Sequence, residues 1–581
     1  MSDDVVNDFY QEELAALRVD AVAYAKKYPA LAPMLAGPSS DPDVERVLEG
    51  TAFLCARIRD HLSRNAPRLL QNLLRWTFPQ ALLPLPSMTM MRFRQEDGFG
   101  DSLRIPGGTR IASRPVNGVS CVYSTDHDIT VPAARIVAVR AEPPTRTPWL
   151  KVILSLRGNA FSKAGFAPLV LNLPGNFSEA AQRFFVLLRQ TAQLEVKVGG
   201  AVHILPASAV QPRHFPLRDP RMPPGRRLNR AYMEVIRYFY LPDQLLFLRL
   251  EGLDRLPGVQ QAEEMEISFC VKPPFERVPN FDRDSFALGV VCASNIFPAF
   301  AEPITVDHTR IEYPLHPQDE EEKKLEILTV TSVTGLFPGG RSENYQSYEN
   351  PHSTDSPYVY SVRFAPGSEG EDGKPYYCLT SLYADRAGGV DALQRHVLSV
   401  ALTCCNRGLP KVLGVGDVCL PTDDSPAQAV FENITVPSPM QPRPGKDLDH
   451  WLYLSHRSAN LLSQASAELL RAMLSLYIGD NDAAPERVAA NRRCCDAILE
   501  FSGSEEERLI HGRLYRGRRL KLVIDPASFG SLGGMYLFAS ALERFFGGFT
   551  TINNYARLVL EVAGTGEHLE WPPRMGEKQL Q

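Results

Sequence analysis

At 581 residues the chain is too long for one ordinary domain, and 44% hydrophobic with 22% charged residues is the balance of a globular protein with room for a normal core. A net charge of -5 gives no general attraction to nucleic acid or anionic lipid. The acidic start Met1-Ser2-Asp3-Asp4 is the opposite of a secretion signal's basic one. No stretch approaches the roughly 18 apolar residues that cross a bilayer, so a cytoplasmic protein without direct membrane insertion is expected.

The ten cysteines are scattered or adjacent, as in Cys404-Cys405 and Cys494-Cys495, and never spaced Cys-x-x-Cys. Reduced, buried thiols follow, and no zinc ribbon. The 47 prolines favour short strands and loops over long helices.

The first ninety residues are helical in pattern. Tyr10, Leu14, Leu17, Ala21, Tyr24 and Tyr28 recur in steps of four and three, which draws an apolar seam along one helix. Ser2 or Asp3 can cap it, and Pro29 with Pro33 end it. A second helix has Asp41 as cap, Pro42 at its first position and Asp43 and Glu45 in its first turn. Its apolar line is Val44, Val47, Leu48, Leu54, Ile58 and Leu62. A third segment, Leu69 to Phe78, is apolar on most sides and stops at Pro79. Such helices need cover, either as a bundle within the chain or as one shared with another subunit.

From about residue 88 the period becomes two. Leu150, Val152, Leu154 and Leu156 alternate with Lys151, Ile153, Ser155 and Arg157; Leu194–Val198 and Met265–Val271 repeat the pattern. Antiparallel β domains follow, interrupted by a short helix near Ser178 to Arg189. A charged junction at Gln318–Lys324 leads to a second β region, with Val397–Cys404 as its clearest strand and long mobile loops expected over 337–375. Four prolines in Pro437–Pro444 make a stiff linker. It leads into an amphipathic helix marked by Trp451, Leu454, Leu461, Leu462, Leu469, Met473 and Leu476 and stopped by Gly479. The end of the chain alternates strand (520–524), helix (535–546) and strand (558–562).

The expected architecture is therefore α+β and multidomain: helices over 1–87, a β-rich domain over 88–317, a second with long loops and a Pro-rich linker over 318–445, and a mixed α/β region over 446–581.

Recognisable chemistry is missing. There is no phosphate loop and no His-Glu-x-x-His pair. Gly414-Val415-Gly416 lacks the third glycine and the strand-to-helix setting of a dinucleotide turn. Ser531, in Gly530-Ser531-Leu532-Gly533-Gly534, is one residue off a nucleophile elbow and suits a glycine-rich approach to a helix. Asp307-His308 are adjacent on an extended segment, so they point apart and suit a polar turn. His450 and His456 lie about 240° apart on a helix and do not converge on a metal. Glu505-Glu506 and Asp319–Glu322 are taken as solvated surface. No catalytic, metal or cofactor residue is expected.

Short landmarks then add a resemblance. Phe9-Tyr10-Gln11-Glu12-Glu13-Leu14, Tyr28-Pro29-Ala30-Leu31, Asp41-Pro42-Asp43-Val44 through Gly50, and Leu82-Leu83-Pro84-Leu85-Pro86 resemble the opening of the TssF family of type VI secretion baseplates. Asn295-Ile296-Phe297, Glu302-Pro303-Ile304, Asn406-Arg407, Trp451-Leu452, Leu542–Phe546, Ile552-Asn553 and Glu570–Pro573 are similar to its later landmarks, in family order. Ser63–Pro67, Leu83 and Pro298–Phe300 depart from the pattern.

The resemblance implies a structural wedge subunit in the cytoplasm. It would assemble with TssG, a second TssF copy and TssK around the VgrG hub, receive sheath and tube, and reach the inner membrane through the membrane complex. On that reading Phe9, Tyr10, Leu14, Leu17, Tyr24, Tyr28, Trp451, Leu454 and Leu461 are candidate subunit-interface residues. The alternatives are a wedge protein of a phage-tail-like contractile particle and a β-rich hydrolase with dispersed catalytic residues.

Overall fold

Two antiparallel helices open the chain: α1 (Asp3–Lys27) and α2 (Pro42–Thr77). The computed structural model describes residues 3–28, 42–95, 102–144, 148–158, 168–216, 221, 230–259, 262–274, 278–310, 312–318, 324–348, 358–365, 376–383, 394–442, 451–455, 462, 465–478, 484–510 and 512–576. Asp41, His450, His456, Leu461 and 319–322 lie outside them. α1 ends with Lys26 and Lys27 in its negative last turn, and α2 begins at Pro42 with Asp43 and Glu45 in its positive first turn. The third apolar segment is no separate element. α2 runs through it for 36 residues, with both Gly50 and Pro67 inside it.

The last turns of α2 enter the main core. Leu74 and Phe78 are buried there. The Phe78 ring meets Tyr232 and Tyr453 edge-on, at 4.8 and 5.7 Å between centroids. That core gathers α3 (Phe177–Phe185), α4 (Arg230–Tyr240), α5 (Ala467–Ile478), α6 (Pro485–Asp496) and α7 (Leu532–Gly547). α4 and α6 were not foreseen. α4 is buried almost all round, although Arg230, Glu234 and Arg237 recur at helical spacing and mark a polar stripe that the sequence reading passed over.

α7 is the central helix. Ser531 caps it, accepting from Gly534 N and donating to Ser178 O. A Cβ on Gly533 would stand 2.1 Å from Ala181 O, so only glycine permits this approach to α3. The chain end is fastened to α7 by Trp571 stacked on Tyr536 at 5.2 Å. Arg574 grips the buried Glu543 with two bonds of 2.6 and 2.8 Å.

Three sheets pack on this core. One runs Ala201–Pro206, Thr191–Val198, Glu264–Val271, Leu150–Gly158, Ala134–Glu142, antiparallel throughout. A three-stranded sheet joins Val210–Pro212, Phe247–Leu250 and Leu169–Asn172. In the C-terminal sheet the long hairpin Ile498–Ile510/Arg513–Ile524 takes Asn554–Val562 in parallel beside it. α7 is the crossover between those parallel strands.

Beside a two-stranded sheet of Leu103–Ile105 with Ile129–Val131, two further sheets close on themselves. The first has the order Val418–Pro421, Arg110–Ser113, Val122–Thr125, Val290–Ser294, Met88–Gln95, Ala429–Asn433, so it draws strands from both sides of residue 318. Its two edges are tied at Asn433, whose O accepts from Gly416 N (3.0 Å) and whose Oδ1 accepts from Val418 N (2.9 Å). The second runs from Phe297–Phe300 through His396–Asn406, Leu325–Leu336, Ser342–Ser347, Tyr358–Ala365 and Tyr376–Tyr383 to Glu312–Leu315. A bridge between Ala301 and Pro317 joins its ends. Asn295 and Asn406 link the two barrels: Asn406 N donates to Asn295 Oδ1 (2.7 Å), and Asn295 Nδ2 donates to Asn406 Oδ1 (3.0 Å).

Other expectations change. The 337–375 stretch contains the strands Ser342–Ser347 and Tyr358–Ala365 rather than loop alone; the first is polar and paired by its neighbours, while the second, YVYSVRFA, has the aromatic and β-branched content of a strand. The Trp451 helix is not continuous. Residues 451–455 are helical, Leu462 is in a turn, 465–466 are irregular, and α5 starts afresh where Ser466 Oγ accepts from Leu469 N (3.2 Å). Glu506 is not solvated surface: it accepts from Arg508 and Arg557 at 3.0 and 3.1 Å. Burial raises its carboxyl, and these two cations outweigh that and hold it below the usual range.

Two outcomes are expected. Gly533→Ala should cost about 3 kcal/mol or more, because the intruding methyl meets backbone that cannot swing aside; a chemical-denaturation midpoint unchanged from wild type would refute this packing. The second concerns His396, 3% exposed in the second barrel. Its Nδ1 lies 2.8 Å from Gln394 O and its Nε2 2.7 Å from Tyr345 OH. Burial, helped by His308 and opposed by the Gln394 bond, holds its pKa below the ordinary value. The unfolded chain therefore takes up this proton first, and the stabilisation is present above pH about 6.5 and lost as pH falls through the folded value. Amide exchange in Leu325–Leu336 and His396–Asn406 should accelerate between pH 7.5 and 5 beyond the intrinsic trend, and His396→Gln should flatten that dependence.

Candidate assembly surfaces

The hairpin of α1 and α2 is held by small residues and exposed charges. Ala52 and Ala56 of α2 are fully buried, and Leu14 and Ala25 of α1 are buried to 7% and 3% exposure. Arg18 pairs with Glu45 at 3.0 Å, and Arg59 with Glu12 and Glu13 at 2.9 and 3.0 Å. The Arg59 guanidinium also lies 4.8 Å over the Phe9 ring.

The candidate interface residues therefore separate. Leu14 is buried against α2; Phe9, Tyr10 and Leu17 are half-buried. Tyr24 and Tyr28 are exposed, with rings 5.0 Å apart. Trp451 is 59% exposed, whereas Leu454 packs on the main core. Tyr453, two residues beyond Trp451, seats on Phe78 at the end of α2, so the N-terminal helices and the Trp451 segment meet in one place.

The larger apolar surface lies on α2. Val47, Leu54, Ile58, Leu69, Leu73 and Trp76 are exposed by 54–67%. At 100° per residue they fall within an arc of about 100°, extending about 44 Å along the helix. Their spacing is that of a heptad seam, and no helix among the described residues covers it. The sequence gives α2 one mixed apolar line. The structure divides it: Val44 and Leu48 turn toward α1 with the alanines, while Val47, Leu54 and Ile58 face out. Ala52 and Ala56, four residues apart, are the feature that distinguishes the two faces, because close helix approach needs small side chains.

Residues weighed for chemistry do not assemble. Asp307 Oδ1 accepts from Thr309 N and Oγ1 at 3.0 and 2.7 Å, an Asx turn. His308, with φ of 60°, lies 3.4 Å from Gln394 O and not on Asp307. Burial pushes the Cys121 thiol up to about 11 and that of Cys270 up to about 12, so both stay protonated. Among the described residues no group of three metal-ligating side chains occurs, and no helix is long and apolar enough to cross a membrane.

A family model described as Type VI secretion system, TssF, matches residues 1–578. The chain is 26% identical over 620 aligned positions to the type VI secretion system component TssF1 of Pseudomonas aeruginosa, covering 98% of both. Its fold is similar to a chain in the TssK-TssF-TssG baseplate subcomplex, with a TM-score of 0.73 at 22% identity over 92% of this chain and 99% of that one. It is also similar to a chain of the type VI baseplate complex, with a TM-score of 0.61 at 21% identity over 99% and 100%.

The two faces of the hairpin should behave differently on truncation. Leu14→Ala removes buried contacts and should destabilise α1–α2 by about 2–3 kcal/mol. Leu54→Ala, on the open face, should change stability by less than about 0.5 kcal/mol. Exchange protection of the two helices measures both, and equal losses would contradict the division of the faces.

Proposed function

The chain belongs to the TssF family of the type VI secretion system, and from that membership we propose that it is a structural wedge subunit acting through contacts rather than catalysis. Its partners on this reading are TssG, a second copy of itself and TssK, around a VgrG hub that seeds sheath and tube. Nucleic acid has no part in it. The assembly works in the cytoplasm and is drawn to the inner membrane by the membrane complex.

One observation carries the reading: the uncovered apolar stripe of α2, whose end at Phe78 packs against Tyr453. A stripe of this spacing fits helices from TssG and from the second copy. Covering six such side chains gains on the order of ten kcal/mol gross, from which association and side-chain ordering remove most. Tyr24 and Tyr28 extend the contact on α1, and Phe9, Tyr10 and Leu17 border it. Leu14 serves it indirectly by holding the hairpin together. The two barrels carry separate surfaces outward from the rigid body.

Leu54→Asp with Ile58→Asp introduces two charges on the open face without touching the α1 contact. Co-expressed with TssG and TssK, this variant should keep its circular dichroism and thermal midpoint while its recovery with TssG falls at least tenfold. Undiminished co-purification would remove α2 from the interface.

A further inference from the structure

The five-stranded sheet has two edges, and they differ. Strand Ala134–Glu142 is defended: it carries Arg135, Arg140 and Glu142, and a bulge between Ile136 and Ala138 breaks its register. Strand Ala201–Pro206 carries no acidic or basic residue except His203, and it pairs regularly with Thr191–Val198 over its whole length. Among the described residues no strand pairs with its outer side. Val202 and Ile204 are 58% and 65% exposed. Opposite Lys197 and Glu195, they stand on the outer face of the sheet, away from the core.

The turn fixes which backbone groups are free. Gly199 and Gly200, at φ of 55° and 87°, make a two-residue type I′ turn. Val198 and Ala201 beside it bond to each other, so alternate residues turn their N–H and C=O inward. Ala201, His203 and Leu205 face Thr191–Val198. Val202 and Ile204 present theirs outward, and Pro206, without an N–H, offers only its carbonyl.

These groups are self-complementary. Two copies of the strand, antiparallel about a two-fold axis at His203, set Val202 opposite the second copy's Ile204 and Ile204 opposite its Val202. Each pair exchanges both N–H···O=C bonds, and no bond falls on the proline. An axis at Ile204 would set Val202 against Pro206 and lose a donor. With the axis at His203, both valines and both isoleucines gather on one face, and no like charges oppose each other on the paired strands.

We propose that strand Ala201–Pro206 is a contact between two copies of this chain, joined edge to edge so that the sheet continues across the two-fold axis. The contact is separate from the α2 face and does not depend on it.

The test uses the full chain carrying Leu54→Asp and Ile58→Asp, so that the α2 face does not contribute. One strand pair is small beside the about 1,200 Å² of a stable complex, so sedimentation velocity should show a monomer–dimer midpoint of roughly 10–100 µM. Adding Ile204→Lys, at an exposed position, should raise that midpoint at least tenfold by placing charge in the apolar patch. In the otherwise wild-type chain the same change should leave recovery with TssG untouched, since that reads the α2 face. A chain monomeric up to about 300 µM would overturn the pairing and leave the edge to a strand of another protein. So would a dimer indifferent to Ile204→Lys. Disulfide trapping reads the register. The axis brings the two His203 Cα atoms to about 4.5 Å, within disulfide range, and leaves Val202 beyond reach of its own copy. Under mild oxidation His203→Cys should yield a covalent dimer above the parent's background, and Val202→Cys should not. The reverse result, or no trapping, would overturn the axis at His203.

Discussion

α7 is buried on nearly every side, and the main body exists because four distant stretches of chain close around it. α3 reaches it at Gly533, α4 lies so close at Ala231 that a Cβ on Gly548 would stand 2.7 Å from the Ala231 Cβ, and strand Asn554–Val562 and the Trp571–Arg574 end complete the enclosure. None of these pieces can bury its own apolar face without the helix. The body should therefore fold as one cooperative unit with high contact order, in contrast to a string of independent domains. Because Leu74 and Phe78 belong to the same core, the direction of α2 is set by that unit. The core thereby fixes only the last turns of α2.

The barrels apply a different constraint. An open sheet edge offers unpaired backbone to any passing strand, and both barrels remove much of theirs by closure, at Asn433 and at Ala301–Pro317. Asn433 is fully buried, and its Nδ2 donates to Gly414 O and Thr435 O while its Oδ1 accepts from Val418 N. Such complete satisfaction makes a buried amide a specific fastener. Several landmarks of the family resemblance prove to be joints of this kind. Asn295 and Asn406 couple the barrels, Leu85 pairs with Gln441 in an antiparallel bridge, and Trp571 holds the chain end.

Much of this was legible in the sequence. Period-two stretches such as Leu150–Arg157 and Met265–Val271 became strands facing the core, and the glycine-rich approach at Ser531 became a capped helix start. What stayed hidden depends on partners far along the chain. Strands Val418–Pro421 and Ala429–Asn433 return to pair with residues 88–113, which no local pattern encodes. α4 did carry a readable period, Arg230, Glu234 and Arg237 at helical spacing, which the period-two reading of the surrounding stretch passed over. On α2, hydrophobicity alone cannot tell an inner from an outer apolar face. Side-chain size can, and the alanines at 52 and 56 carried that information.

The open face of α2 also bears on how firmly the hairpin stands by itself. Between residue 42 and the core, the contacts described for α2 are chiefly those with α1. That contact is made of Ala52, Ala56, Leu14 and Ala25 with three ion pairs whose members are 28–62% exposed. Exposed pairs of this sort contribute less than about 1 kcal/mol each, and alanines bury little area. The hairpin is thus the least secured part of the described chain, while it carries the largest apolar stripe. Anything that binds the folded hairpin and not the frayed one stabilises it by mass action. Covering the stripe and ordering the hairpin then become one event, so a subunit built this way finishes folding its arm only as the neighbouring helices arrive.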